Sequence, residues 1–162
     1  MRLLIIRHAI AVERGTTDIP DDERPLTRKG IRRFRAAARG LARLLPRPDM
    51  IFTSPLLRAR QTARIVARAW HGPDPVEAVA LAGGEFEEVA ETLGGFDEKA
   101  LVAIVGHEPQ LSEVLARLVG NAEAERLVFK KGGAALLTVP GRLEEGGALL
   151  FFLPPRVLRG IG

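Results

Sequence analysis

The chain has 162 residues, 46% of them hydrophobic and 27% charged, which is typical of one folded domain and too apolar for a disordered chain. The absence of cysteine excludes disulfides, a thiol nucleophile and thiolate metal sites. The net charge is only +4, and aromatic residues make up 5% without any tyrosine, which predicts that the protein does not bind nucleic acid. The apolar N-terminal run is too short for a signal peptide or a membrane span. We therefore expect one cytoplasmic domain over residues 1–162 that does not bind a membrane.

The first half of the chain predicts two strand–helix pairs. Apolar residues recur every three to four positions along two segments, as in amphipathic helices, and each segment follows a short apolar run typical of a buried strand. In chain order, the predicted elements are a strand over 3–6, a loop over 9–26, a helix over 27–45, a strand over 49–53 and a helix over 55–70. Thr27 is expected to cap the first helix, and Ser54 with Pro55 to begin the second.

The second half of the chain predicts further strands and helices in alternation. In chain order, they are an irregular stretch or short strand over 76–81, a short helix over 85–93, a buried strand over 101–105, a helix over 108–119 and a hairpin of strands over 134–139 and 148–153. This alternation predicts a single α/β domain.

Polar residues of catalytic type follow three of the predicted strands. These strand ends are Arg7–His8, Thr53–Ser54 and Gly106–His107. Ligands of open α/β sheets bind at the carboxyl ends of the strands, so the three ends meet at one crevice if the strands are parallel neighbours. Two of the three histidines occupy such ends, which favours a shared site over isolated structural histidines. The third, His71, is predicted to end a helix.

Arg58 interrupts the apolar face of the second predicted helix. Helical spacing places Arg60, Arg64 and Arg68 on the opposite, solvated face, whereas Arg58 falls within the apolar arc. An arginine in that position either extends its charge to solvent or binds an anion. Near a helix N-terminus, its planar guanidinium suits two phosphate oxygens, so Arg58, Arg7 and the two strand-end histidines predict a phosphate site that needs no metal.

Three segments resemble the histidine phosphatase superfamily, also called the phosphoglycerate mutase-like family. They are LIIRHA at 4–9, TSPLLRARQTA at 53–63 and VGHEP at 105–109. The resemblance implies a three-layer α/β/α sandwich with a mostly parallel central sheet. It also implies that His8 is a nucleophile that becomes phosphorylated, that Arg7 and Arg58 bind phosphate, that His107 completes the pocket and that no metal or organic cofactor is used. Ser54 is a further candidate for phosphate binding.

Within this superfamily the chain looks most like the phosphohistidine phosphatases of the SixA group. It is short, has Ala9 where most members have glycine, and carries RPLTRKG at 24–30. This likeness implies a phosphorylated histidine phosphotransfer domain as partner. A small phosphorylated substrate is the alternative, and it needs a general acid because an alkoxide leaves poorly. Glu85 is the candidate acid, although it could equally be a helix N-terminal residue favoured by the dipole.

Two other classes remain open from the residues. The first is a catalytically silent phosphate- or partner-binding module, against which the complete set of four site residues argues. The second is a metal hydrolase using His8 and His107, which three histidines without His-x-x-x-His spacing disfavour. Five carboxylates of the first loop are expected to be solvated, with one able to touch the substrate or nucleophile: Glu13, Asp18, Asp21, Asp22 and Glu23.

Overall fold

The computed structural model describes residues 1–15, 18–120 and 123–162, so Thr16 and Thr17 of the predicted first loop lie outside the described residues. The strands are β1 Arg2–Arg7, β2 Met50–Thr53, β3 Val76–Glu77, β4 Leu101–Gly106, β5 Ala134–Thr138 and β6 Ala148–Leu153. The α-helices are α1 Arg28–Leu44, α2 Leu57–Trp70, α3 Phe86–Thr92, α4 Gln110–Leu118 and α5 Pro155–Ile161. None of the helices described is long and apolar enough to cross a membrane.

One six-stranded sheet runs through the molecule in the order β3-β2-β4-β1-β5-β6. The first four strands of this order are parallel to one another, whereas β5 is antiparallel to both β1 and β6. The central strands β1 and β4 are covered on both faces, which explains why they read as continuous apolar runs. The predictions of a mostly parallel sheet and of a C-terminal hairpin are confirmed.

The two faces of the sheet are covered by different helices. Leu4 and Ile6 of β1 point to a core shared with α1, α2 and Leu158 of α5. Leu3 and Ile5 alternate with them and pack in a second core with α3 and α4. This period-two alternation along a buried strand separates the cores into two layers on either side of the sheet. The predicted three-layer α/β/α sandwich is confirmed.

The starts of α1 and α2 differ in how well the sequence predicted them. The side chain of Thr27 accepts a hydrogen bond from the backbone N–H of Gly30 at 2.9 Å, as expected of an N-cap. The prediction that Ser54 and Pro55 begin the next helix is wrong, because α2 starts at Leu57. Ser54 Oγ instead accepts from the N–H of Leu56 at 3.2 Å, in a turn that separates strand from helix.

The C-terminal helix α5 packs against α1 and was not predicted from the sequence. Its seven residues begin at a proline and contain Gly160, so they show little helical periodicity. The two helices approach closely at Gly40, where a Cβ atom would lie 2.0 Å from the carbonyl oxygen of Leu158. The contact holds the end of the chain on the same sheet face as α1.

Gly40→Ala is expected to lower the free energy of unfolding by about 1–3 kcal/mol, because the added methyl group forces α1 and α5 apart. Urea unfolding followed by circular dichroism measures the change. The matched control is Gly160→Ala, since a Cβ there meets nothing within 4 Å and the exposed helical position favours alanine. Equal stability of the two variants would contradict the close packing of these helices.

Candidate phosphate-binding active site

The parallel register brings three strand ends side by side. Arg7 pairs with Gly106 between β1 and β4, and Thr53 pairs with Val105 between β2 and β4. The N–H of His8 donates to the carbonyl of Gly106 at 3.0 Å, and the N–H of Ser54 donates to the carbonyl of Val105 at 2.9 Å. The residues that follow the strands therefore leave the same edge of the sheet together.

A cavity of about 360 Å³ opens at this edge. Four predicted site residues line it, Arg7, His8, Arg58 and His107, and the two imidazole ring centroids lie 5.0 Å apart. The lining also includes Glu13, one of the first-loop carboxylates expected to be able to touch the substrate. The remaining lining residues, which the sequence did not single out as site residues, are Arg14, Arg24, Glu108 and Lys131. With five cations against two carboxylates, the lining of the cavity has a net positive charge.

His8 is fixed as one tautomer by its own backbone segment. Its Nδ1 lies 2.7 Å from the carbonyl oxygen of Ala9, which can only accept, so the hydrogen is on Nδ1 and Nε2 carries the lone pair. The Ala9 N–H donates to the hydroxyl of Thr62 at 3.0 Å, and that hydroxyl donates to the carbonyl of Arg58 at 2.7 Å. The turn that carries His8 is thereby tied to the first turns of α2.

The pKa of His8 is lowered to about 3, chiefly by burial and to a smaller extent by the nearby His107, Arg58 and Arg7. The hydrogen bond to Ala9 opposes this shift. The ring is therefore neutral near pH 7. A neutral imidazole with a free Nε2 lone pair is the form that can attack phosphorus.

In His107 it is Nε2, rather than Nδ1 as in His8, that contacts another group of the protein. Its Nε2 lies 2.8 Å from the hydroxyl of Ser54, and its buried Nδ1 has no hydrogen-bond partner within the described chain. Ser54 is fully buried and does not line the cavity, so the structure places it behind His107. Ser54 Oγ accepts from Leu56 and can donate its own hydrogen to His107 Nε2, and in that tautomer the neutral ring carries its hydrogen on Nδ1.

The pKa of His107 is lowered to about 4, first by burial and then by the charges of Arg58, Arg7 and Arg24, with Asp21 opposing them. His107 is thus neutral in the empty cavity. A dianion bound between these residues would raise that pKa and favour the imidazolium form.

Lowering the pH from about 7 to about 4 is expected to destabilise the protein. The folded-state pKa values of His8 and His107 lie below their ordinary 6.5, so the unfolded chain binds more protons in this window. Stability is full above about pH 7 and falls by up to about 1.4 kcal/mol per pH unit for each histidine. Urea unfolding at a series of pH values measures this slope.

His107→Gln should make the pH dependence shallower by one histidine. Stability that stays constant between about pH 7 and pH 5 would contradict neutral, buried imidazoles.

Arg58 is buried and held by the first loop. Its Nη1 donates to the backbone carbonyl of Asp21 at 2.6 Å and its Nη2 lies 3.3 Å from the Asp21 carboxylate, while Nε has no partner in the described chain. Asp21 also pairs with Arg14 and Arg24. The bond from Arg14, followed by the charges of Arg58 and Arg24, lowers the pKa of Asp21 to about 2. The expectation of a merely solvated Asp21 is wrong, since it holds three arginines at the cavity.

Arg7 and Glu108 join the cavity to the segment before β5. Arg7 Nη1 donates to the carbonyl of Phe129, whereas its buried Nε has no partner in the described chain. The Glu108 carboxylate accepts from the N–H and hydroxyl of Ser112 and from the N–H of Phe129 at 2.6 Å. Burial lowers the pKa of Arg7, and the charge of Glu108 opposes that effect. Glu108 therefore braces both α4 and the segment that Arg7 contacts.

Glu85 lies away from the cavity lining. It is exposed and caps α3, where it and Glu88 form a reciprocal capping box. The carboxylates that line the cavity are Glu13 and Glu108. The described ranges contain no group of three or more His, Asp or Glu residues arranged to hold a metal ion.

Three buried nitrogen atoms of cavity residues lack a hydrogen-bond acceptor in the described chain. They are Arg7 Nε, Arg58 Nε and His107 Nδ1. Buried polar groups in native proteins are nearly always paired, so these donors favour a ligand that supplies acceptors and negative charge. A tetrahedral oxyanion beside His8 meets both conditions.

Comparison with known proteins identifies the class to which this fold and site belong. The model of the histidine phosphatase superfamily (branch 1) matches residues 3–87. An uncharacterized protein of Picosynechococcus is 39% identical over 137 residues, which cover 82% of each chain. An uncharacterized protein of Mycobacterium tuberculosis is 34% identical over 149 residues, covering 85% of this chain and 93% of the relative. The chain belongs to the histidine phosphatase superfamily, and a phosphatase is the class of enzyme that this membership supports.

Solved structures place the chain near the SixA group. A protein of Agrobacterium tumefaciens, provisionally assigned as phosphohistidine phosphatase SixA, has a TM-score of 0.78 and 26% identity, with 95% of this chain and 97% of that chain covered. The protein histidine phosphatase SixA in complex with tungstate shares the fold, with a TM-score of 0.84, 24% identity and coverage of 98% and 99%. These matches support the resemblance to the SixA group that the sequence indicated.

Proposed function

We propose that this protein removes phosphate from phosphohistidine in a signalling protein, with His8 as the nucleophile. The lone pair of His8 Nε2 attacks phosphorus while the bond from phosphorus to the substrate ring breaks. Because that ring carries a proton on its other nitrogen, the electron pair of the broken bond leaves it as neutral imidazole. Water then attacks the phosphoimidazole, the bond to Nε2 breaks and inorganic phosphate leaves. We propose that the protein acts in the cytoplasm, the location that the sequence predicts.

The observation that carries this proposal is the set of unpartnered donors around a neutral His8. Arg7, Arg58 and His107 each keep one buried N–H without an acceptor in the described chain, and all three line the cavity with His8. Phosphoryl transfer needs mainly positioning and stabilisation of charge on the equatorial oxygens. Donors held in place before the substrate arrives provide that stabilisation without further reorganisation.

The carboxylates at the site favour phosphohistidine over a phosphate ester. Glu108 is engaged by hydrogen bonds from Ser112 and Phe129, and Glu85 caps α3. An alkoxide leaving group needs a positioned acid, whereas imidazole leaves with much less help. The SixA relative at 26% identity supports the same substrate class. The presence of Glu13 in the cavity lining is the one observation that favours the alternative, a small phosphate monoester.

A side-by-side substrate panel tests the proposal. Phosphate release is measured from a phosphorylated histidine phosphotransfer domain, p-nitrophenyl phosphate and a sugar phosphate. We expect kcat/KM for the phosphoprotein to exceed that for the sugar ester by about 100-fold or more, the contribution of the missing general acid. A comparable or higher value for the sugar ester would overturn the phosphohistidine assignment, and no release from any of the three would favour a silent binding module.

A further inference from the structure

A second cavity of about 230 Å³ begins directly beside the nucleophile. We call this cavity the basic groove, because five cationic side chains line it: Arg33, Lys130, Lys131, Arg156 and Arg159. The lining also contains the apolar residues Phe34, Pro154 and Pro155. Among the described residues that line the groove, none carries a carboxylate.

The charges of the basic groove are unbalanced inside the protein. Within the part of the chain that the structure describes, none of the five cations forms an ion pair. Arginines elsewhere do so, as Arg117 does with Glu87 at 2.7 Å. Arg156 even occupies the first turn of α5, where the helix dipole disfavours a cation. Clustered like charges cost stability, so this arrangement points to an anionic partner.

The basic groove is continuous with the active-site cavity. Lys131 lines both, and Ala9, which follows His8, lies in the groove. The N–H of Gly132 lies 3.1 Å from the carbonyls of Arg7 and His8, so the segment carrying Lys130 and Lys131 is fixed against the strand end. A substrate that places its phosphoryl group at His8 therefore has the groove as the adjoining surface.

We propose that the basic groove docks an acidic segment of the phosphoprotein substrate, an inference that rests on the proposed function. Carboxylates of that segment would pair with Arg33, Arg156 and Arg159 while its phosphohistidine reaches His8. Such charge pairing sets encounter rate and partner choice more than it sets total affinity. A nucleic acid fits the groove less well, because Phe34 is only 2% exposed and offers no face for a base to stack on.

The double variant Arg33→Glu/Arg156→Glu tests the groove without touching the four site residues. We expect kcat/KM for the phosphorylated phosphotransfer domain to fall by about 10-fold or more, with a weaker dependence on salt, because favourable steering becomes repulsion. Turnover of p-nitrophenyl phosphate should stay within about twofold of the wild type. Glutamate at position 156 interacts favourably with the dipole of α5, so this substitution should not lower stability, and a melting curve checks that the double variant is folded.

The matched control is Arg35→Glu/Arg39→Glu. It reverses two exposed charges on α1, the helix that carries Arg33, at positions outside the groove. It should change phosphoprotein turnover by less than about twofold, since only long-range charge is altered. Equal losses of kcat/KM in both double variants would show that the effect comes from net charge alone and would overturn the proposal. An equal loss of turnover of p-nitrophenyl phosphate in the groove variant would overturn it as well.

Binding of the unphosphorylated phosphotransfer domain, measured by titration calorimetry, separates this proposal from the proposed function. If the wild type does not hydrolyse the phosphoprotein, the proposed function fails, and weaker binding by the groove variant still supports docking. Undiminished binding and turnover in that variant would overturn docking alone. A duplex DNA probe that loses affinity for the variant, while the phosphotransfer domain does not, would assign the groove to nucleic acid instead.

Discussion

His8→Ala is expected to abolish turnover and to eliminate the covalent phosphoenzyme, with a loss in kcat of about a thousandfold or more. The variant keeps the positive cavity but removes the lone pair that the Ala9 carbonyl fixes on Nε2. No other described imidazole takes its place, because Nε2 of His107 is engaged by Ser54. Single-turnover kinetics with the phosphoprotein measure the rate. Denaturation at alkaline pH, which preserves the phosphorus–nitrogen bond, traps the intermediate for mass spectrometry.

The control for this experiment is the third histidine. His71 ends α2 in the left-handed conformation with φ of 48°, and Asn tolerates that conformation better than Ala does. His71→Asn should therefore retain wild-type turnover and the same yield of phosphoenzyme. Undiminished activity of the His8→Ala variant, or a phosphoenzyme that still forms in it, would contradict the proposed mechanism.

Arg58→Ala is expected to lower kcat/KM by about 100-fold or more, because it removes the guanidinium that we propose binds the transferring phosphoryl group. Arg60→Ala, two residues along the same helix, should stay within about twofold, since its pair with Glu77 is solvent-exposed and contributes little. Steady-state kinetics together with calorimetry of inorganic phosphate binding measure both variants.

Arg58→Lys separates charge from shape. The ammonium group keeps the positive charge but loses the planar fork that bonds Asp21 and leaves Nε for a ligand. We expect it to recover only part of the lost affinity. Melting curves check that each variant is folded, since Arg58 also secures the first loop. Similar losses in the Arg58 and Arg60 alanine variants would refute the assignment of Arg58 to the phosphate.

The layers of this fold were predictable because buried strands and amphipathic helices leave a strong periodic signal. β1 and β4 are apolar at nearly every position since both faces are covered, and α1 repeats its apolar residues at helical spacing. α5 lacked such a signal, because a seven-residue helix is held by contact with Gly40 rather than by its own pattern. Ser54 was misplaced because a serine before proline fits both a helix cap and a tight turn.

The site was predictable where a side chain contradicted its local pattern. Arg58 stood out because it fell on an apolar face, and the structure buries it to 5% exposure beside the cavity. Asp21 and Glu108 gave no such signal, since their partners Arg58 and Phe129 are 37 and 21 residues away along the chain. A buried guanidinium requires an anion, so a search for its partner among the first-loop carboxylates is the reasoning that would have found Asp21.

The hydrogen bond from His8 to Ala9 has a consequence for how this site tolerates change. The acceptor is a main-chain oxygen of the very next residue, which every amino acid possesses. A change of side chain across the groove therefore leaves this acceptor in place, and with it the hydrogen on Nδ1 of His8. Under the proposed mechanism, side chains around the cavity can change the choice of substrate, while the protonation form of His8 depends only on two consecutive residues.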